Sequence, residues 1–191
     1  MHPAYFAMVM ATGIVSLAAH LLELAWVAYA LFVLNVMFAV VLTALTFMRI
    51  VRYPSHVIAD FLHHGRTVGF LTTVAAASVL GSQFLLIAEA RQVATVLWYV
   101  AIVLWGALTY TIFTVLTVKA VKPSLAEGIN GGWLVAVVAP QSIAVLGAQL
   151  AAGFGPYAEG VLLFCLTMWL GRECSTSGSS RSSSIGTRSS C

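Results

Sequence analysis

Side chains able to do covalent or metal chemistry are few in this sequence. Of its five histidines, His56, His63 and His64 lie close together. Such a group could hold a metal or a haem, but bis-histidine haem needs imidazoles facing each other from two helices inside a bundle. No long apolar stretch supplies such a histidine, and the three read as solvated residues of a short interfacial segment. His20 sits at the end of the first apolar run. Cys165, Cys174 and Cys191 show no CxxC or other ligand spacing, so neither a zinc site nor a disulfide framework is implied. There is no nucleophile elbow, phosphate loop or HExxH motif. The chemistry left open is that of neutral dipoles: hydroxyls, carboxamides and backbone groups freed at helix irregularities. No enzyme activity, metal or cofactor is expected.

The elements that must carry these dipoles follow from composition. The chain has 191 residues, of which 61% are hydrophobic and 8% charged. Soluble domains carry about 25% charged residues, so this chain cannot cover a water-facing surface. That excludes a soluble enzyme, a nucleic-acid binder and a secreted disulfide scaffold. Crossing a bilayer takes about 20 mostly apolar residues. Runs of that kind occur at about 3–20, 26–48, 68–88, 93–118, 133–153 and 157–171. They are continuous rather than alternating, which excludes a barrel and leaves helices. The fold class is all-α and polytopic, with about six transmembrane spans. The first run lacks a basic leading segment and is followed at once by another span, so it is not read as a cleaved leader.

Charge sets the expected orientation. Arg49, Arg52 and Arg66 flank the second loop, Lys119 and Lys122 the fourth, and Arg172 follows the sixth span; Arg91 alone lies on the other side, with Glu23, Glu89 and Glu159. The positive-inside rule places the N-terminus in the cytoplasm of a multi-pass cell-membrane protein. The spans also repeat, at a period of about 64 residues, with new hairpins beginning near 3, 68 and 133. Odd spans are rich in small residues recurring four apart, as in Thr73, Ala77 and Gly81, or Ala136, Pro140, Ala144, Ala148 and Ala152. Small ridges let helices approach closely in lipid. Even spans carry Trp98, Tyr99, Trp105 and Tyr110, which suit lipid-facing or interfacial positions. Helical hairpins with odd helices inside and even helices outside are expected.

No Asp, Glu, Lys or Arg falls in the middle of a span. Ion-coupled pumps usually place an ionisable group there, so the pattern favours a neutral passage. The irregular positions at depth are Thr12 and Gly13 in span one, Gly81, Ser82 and Gln83 in span three, and Pro140, Gln141 and Ser142 in span five. Pro140 removes a backbone donor and frees a carbonyl about one turn earlier, near Ala136. These positions are read either as pore-lining irregularities offering neutral donors or as packing kinks whose polar groups find neighbours. Asn35, in span two, is read as an interhelical hydrogen-bonding residue.

Two stretches then carry a resemblance. Residues 2–16, HPAYFAMVMATGIVS, and 130–147, NGGWLVAVVAPQSIAVLG, resemble the first and fifth helices of the tellurite-resistance/C4-dicarboxylate transporter family, which is related to plant slow anion channels and fungal malate and sulfite transporters. The resemblance covers residues 2 to 171. It implies ten helices in five hairpins, of which this chain would hold the N-terminal six. It also implies permeation of anions or weak acids (a C4-dicarboxylate, a tellurite-related species or a small inorganic anion), and assembly as homotrimers in the lipid bilayer. By position it makes Phe6, Thr12, Gly13, Gly81, Ser82, Pro140, Gln141 and Ser142 pore-lining. The alternative is a non-transporting membrane subunit that assembles with a partner chain. Residues 1–171 are thus expected to form a truncated transmembrane domain. The Ser-rich tail 172–191 cannot bury apolar area and should be disordered; its abrupt onset reads as a frameshift.

Overall fold

The computed structural model describes residues 5–52, 70–118 and 133–170. Every regular element among them is helical: α1 (Phe6–Leu21), α2 (Ala25–Arg52), α3 (Leu71–Leu86), α4 (Arg91–Val118), α5 (Trp133–Leu150) and α6 (residues 158–170). Two 3-10 turns, Ala151–Gly153 and Gly155–Tyr157, join α5 to α6. Apolar side chains surround these helices on all sides, so the backbone satisfies itself within each helix, as a lipid environment requires. The segments Ala25–Arg52, Arg91–Ile112 and Ala136–Gly153 are long and apolar enough to cross a membrane; Phe6–Leu21, Leu71–Leu86 and Gly155–Leu170 are shorter apolar helices. The histidine group at 56–64, the loop cations Arg66, Lys119, Lys122 and Arg172, and the serine-rich tail 172–191 lie outside the described residues.

Three hairpins repeat in backbone detail as well as in sequence. The turn after α1 is a Schellman motif: Leu24 N–H donates to the Ala19 carbonyl and Glu23 N–H to that of His20. Glu23 occupies the left-handed position with φ 61°; Glu89, after α3, has φ 52°, and Gly155, after α5, has φ 53°. These three residues recur at an even 66-residue interval, 23, 89 and 155. The period read from hydropathy therefore extends to a single backbone dihedral.

Helix α3 is the hub. It packs against α1 on one side and α5 on the other, and against α4 along its length, with a lighter contact to α2. Val74, Ala75 and Gln83 of α3 have no exposed surface, and Leu86 is its one exposed side chain. Leu71 and Val74 join Ala94, Trp98 and Ala101 of α4 and Ala139, Ile143 and Leu146 of α5 in one core cluster. Val9, Ala39 and Ala76 form a second cluster where α1, α2 and α3 meet. The apolar windows of α2 and α4 are only 17% and 22% buried, against 39% for that of α5. The long even helices thus present most of their surface outward.

Trp98 departs from its expected lipid-facing place. It is 4% exposed, and its indole N–H donates to the Ile143 carbonyl at 3.0 Å. Gly147 makes this possible, because a Cβ there would lie 2.8 Å from the indole nitrogen. The other aromatics of α4 follow expectation more closely, with Tyr99 52% and Tyr110 75% exposed and Trp105 half-buried. Nor do Thr12–Gly13 or Gly81–Gln83 interrupt their helices. Both α1 and α3 run through them unbroken, and α5 continues through Pro140.

Candidate functional site

Polar side chains inside an apolar bundle are the natural starting point, since each must find a partner or cost a few kcal/mol. On α1, the Thr12 hydroxyl lies 2.7 Å from the Met8 carbonyl of its own helix and 2.8 Å from Oδ1 of Asn35 on α2. The Asn35 carboxamide nitrogen donates to Oε1 of Gln83 on α3 at 2.5 Å. Asn35 and Gln83 are both fully buried. A relay Thr12–Asn35–Gln83 therefore ties three helices together, and Asn35 acts between helices as its sequence context suggested. Gly13 is the clearance for this relay: a Cβ there would stand 2.5 Å from Val79 Cγ1 and 2.9 Å from the Asn35 side-chain nitrogen. One helical turn further on, Ser16 donates to the Ala28 carbonyl of α2 at 2.8 Å. The relay ends on an open donor, because Gln83 Nε2 is buried with no hydrogen-bond partner among the described residues.

A second polar group lies at mid-depth on α5. Gln141 Nε2 is likewise buried without a partner among the described residues, although Gln141 as a whole is half-buried. Ser142 donates back to the Ala139 carbonyl of its own helix at 2.7 Å. Pro140 beside them is half-buried. The remaining positions singled out by sequence serve other contacts. Gly81 faces Leu146 of α5, whose Cδ2 would lie 2.5 Å from an added Cβ. Ser82 is 4% exposed. Phe6 lines an apolar groove between α2 and α4.

The eight sequence-selected residues thus do not gather in one cluster. Thr12 and Gly13 meet at the α1–α2–α3 junction, Gly81 sits at the α3–α5 contact, and Gln141 and Ser142 are on α5. Sequence reasoning names Gln83 among the irregular positions of its span but leaves it out of the pore-lining set, and reads Asn35 as an interhelical hydrogen-bonding residue without its partner. A signal for Gln83 existed: it is the largest polar side chain in an otherwise small and apolar helix.

Every charged side chain among the described residues lies at a helix end or in a turn: Glu23, Arg49, Arg52, Glu89, Arg91 and Glu159. Arg91 shows what such an end charge does. Its guanidinium donates to the Leu150 carbonyl at 2.7 Å, satisfying an acceptor at the C-terminus of α5, and it packs onto the bare backbone of Gly153. Among the described residues no group of histidine, cysteine or acidic side chains could hold a metal. Cys165 is buried and free beside Gly147. Among the described residues the interior therefore offers hydroxyl and carboxamide dipoles and no ionised group. Such an interior can lower the cost of a passing charge by orienting donors toward it, without binding it as a counter-ion would.

No curated protein and no solved structure matches the chain. The family model described as voltage-dependent anion channel matches residues 1–171. With all but the last twenty residues matched, and with the described helices apolar throughout and uncharged within, the chain belongs to the voltage-dependent anion channel family.

Proposed function

We propose that this chain forms part of a passage for anions or weak acids through a cell membrane, in which α1, α3 and α5 contribute neutral dipoles to the conduit and α2 and α4 face lipid. The observation that carries the reading is the family match over residues 1–171. The chemistry of the described helices supports it. Their interior holds no ionised side chain among the described residues, and it contains two carboxamide nitrogens, on Gln83 and Gln141, that are buried without a hydrogen-bond partner among those residues. A donor-rich, cation-poor lining passes an anion without trapping it. Family members of this kind would carry small inorganic anions, C4-dicarboxylates or tellurite-related species, as trimers, with the basic loops and the N-terminus on the cytoplasmic side.

Proteoliposomes test this directly. Purified protein should carry chloride, malate or tellurite inward faster than empty vesicles, and should leave potassium and proton gradients unaffected in the absence of a permeant anion. Flux of none of these anions would overturn the reading. A second reading, a subunit that assembles with a partner, is favoured by the open apolar face of α1, where Met8, Ile14, Val15 and Leu21 are all exposed. Co-purification of a stoichiometric membrane partner together with absent flux would select it.

A further inference from the structure

Helices α2 and α4 flank α3 without forming a packed pair of their own among the described residues, and between them runs a groove of about 410 Å³. Its floor is wide because it is built from Ala39, Ala76 and Ala77. The lining holds no charge. Two of its hydroxyls are already satisfied by their own helices, Thr46 at the Leu42 carbonyl and Thr73 at the Phe70 carbonyl. The groove therefore asks for an apolar occupant and makes no demand for a polar one.

Its direction and length narrow the choice. Along α2 the lining runs from Ala39 to Ile50, and along α4 from Leu97 to Leu108. Eleven helical steps rise about 16 Å, close to half of a hydrocarbon core of about 30 Å. The groove is thus about as long as one leaflet is thick. It opens sideways through exposed Phe47, Val100 and Leu104, onto the apolar outer surfaces of α2 and α4. It ends near the last turn of α2, which carries Arg49 and Arg52.

We infer that this groove is a binding site for an anionic phospholipid. One acyl chain lies between α2 and α4 over α3, and the phosphate rests at the level of Arg52. The chain fills space that neither even helix can close, and it backs onto the α1–α2–α3 junction that carries the Thr12–Asn35–Gln83 relay. This site depends on the chain being embedded in a bilayer and not on what the chain transports.

Native mass spectrometry of the full chain, released from neutral detergent with equal amounts of palmitoyl-oleoyl phosphatidylglycerol and palmitoyl-oleoyl phosphatidylcholine, reads the site without any flux measurement. Wild type should retain phosphatidylglycerol about fivefold more than phosphatidylcholine, the discrimination expected of a cation near the headgroup. Thr43→Phe, on the exposed rim, should fill the groove and lower retention of both lipids while circular dichroism and elution volume stay unchanged. Arg52→Gln, at an exposed helix end, should leave the acyl chain bound and remove the preference for phosphatidylglycerol. Equal retention of the two lipids by wild type would overturn the inference, as would undiminished phosphatidylglycerol on Thr43→Phe. A second copy of the chain held in place of lipid, and released by Thr43→Phe, would overturn it too.

Discussion

Asn35 donates its side-chain N–H to Oε1 of Gln83 across 2.5 Å, joining the outward-facing α2 to the central α3. With Thr12 on α1 this contact closes the relay over Gly13. Interhelical hydrogen bonds in membrane proteins contribute about 0.6 kcal/mol on average and up to about 1.7. Both partners here are fully buried, so the upper part of that range applies. Asn35→Leu should destabilise the protein by about 1–2 kcal/mol, because it strands the Gln83 acceptor. The double variant Asn35→Leu/Gln83→Leu should cost less than the sum of the singles. A double-mutant cycle on unfolding in mixed micelles measures the difference, and strict additivity would show the bond to be energetically silent.

Three helical glycines should respond to alanine in a fixed order. At Gly13 the new methyl meets Val79 and the relay itself, so a loss of about 1–3 kcal/mol is expected. At Gly81 it meets the flexible end of Leu146, which can yield, and the loss should be smaller. At Gly106 nothing lies within 4 Å, so Gly106→Ala should raise stability by up to about 1 kcal/mol through helix propensity. Thermal unfolding of the three variants in one detergent gives the ranking directly.

Trp98 and Gly147 form a coupled pair. Trp98→Phe removes the bond to the Ile143 carbonyl and some buried volume, for an expected cost of about 1–3 kcal/mol. Gly147→Ala drives a methyl against both the indole and the Cys165 sulfur. The alanine should therefore be better tolerated in a Trp98→Phe background than in wild type, a non-additivity that the same unfolding assay detects.

The three left-handed turn positions predict opposite effects for glycine. Gly155→Ala places a Cβ at φ 53° and should cost about 1–2 kcal/mol. Glu23→Gly and Glu89→Gly relieve the same strain at φ 61° and 52°, and stability should not fall. Melting temperatures of the three single variants check the sign of each.

Gln141 separates a functional donor from a packing residue. Its Nε2 is buried without a partner among the described residues, so Gln141→Leu should leave stability unchanged or improve it, since the desolvated donor is gone. If that donor serves a permeating anion, the same variant should lower anion flux in proteoliposomes severalfold. Unchanged flux with raised stability would remove Gln141 from the conduit.

The sequence alone determined that this chain is built of apolar helices suited to a membrane, and it pointed to their recurrence at a regular interval. Those features are local: each apolar residue contributes to bilayer insertion regardless of its neighbours, and turn residues mark their own positions. It also marked Asn35 as an interhelical hydrogen-bonding residue, since a carboxamide in lipid must find a partner. It could not name that partner, Gln83, which is 48 positions away along the chain. Which side of each helix turns inward was decided only by the tertiary structure. Lipid is as apolar as a protein core, so a uniformly apolar helix carries no hydropathic stripe to distinguish its two faces. For that reason Trp98, which its type suggests for a lipid-facing or interfacial place, is a core residue, and Thr12 and Gly13, which suggest an interruption, are a member of a buried hydrogen-bond relay and its clearance. Close fit between bare glycine backbones and particular side chains sets those faces, and it exists only once the helices have met.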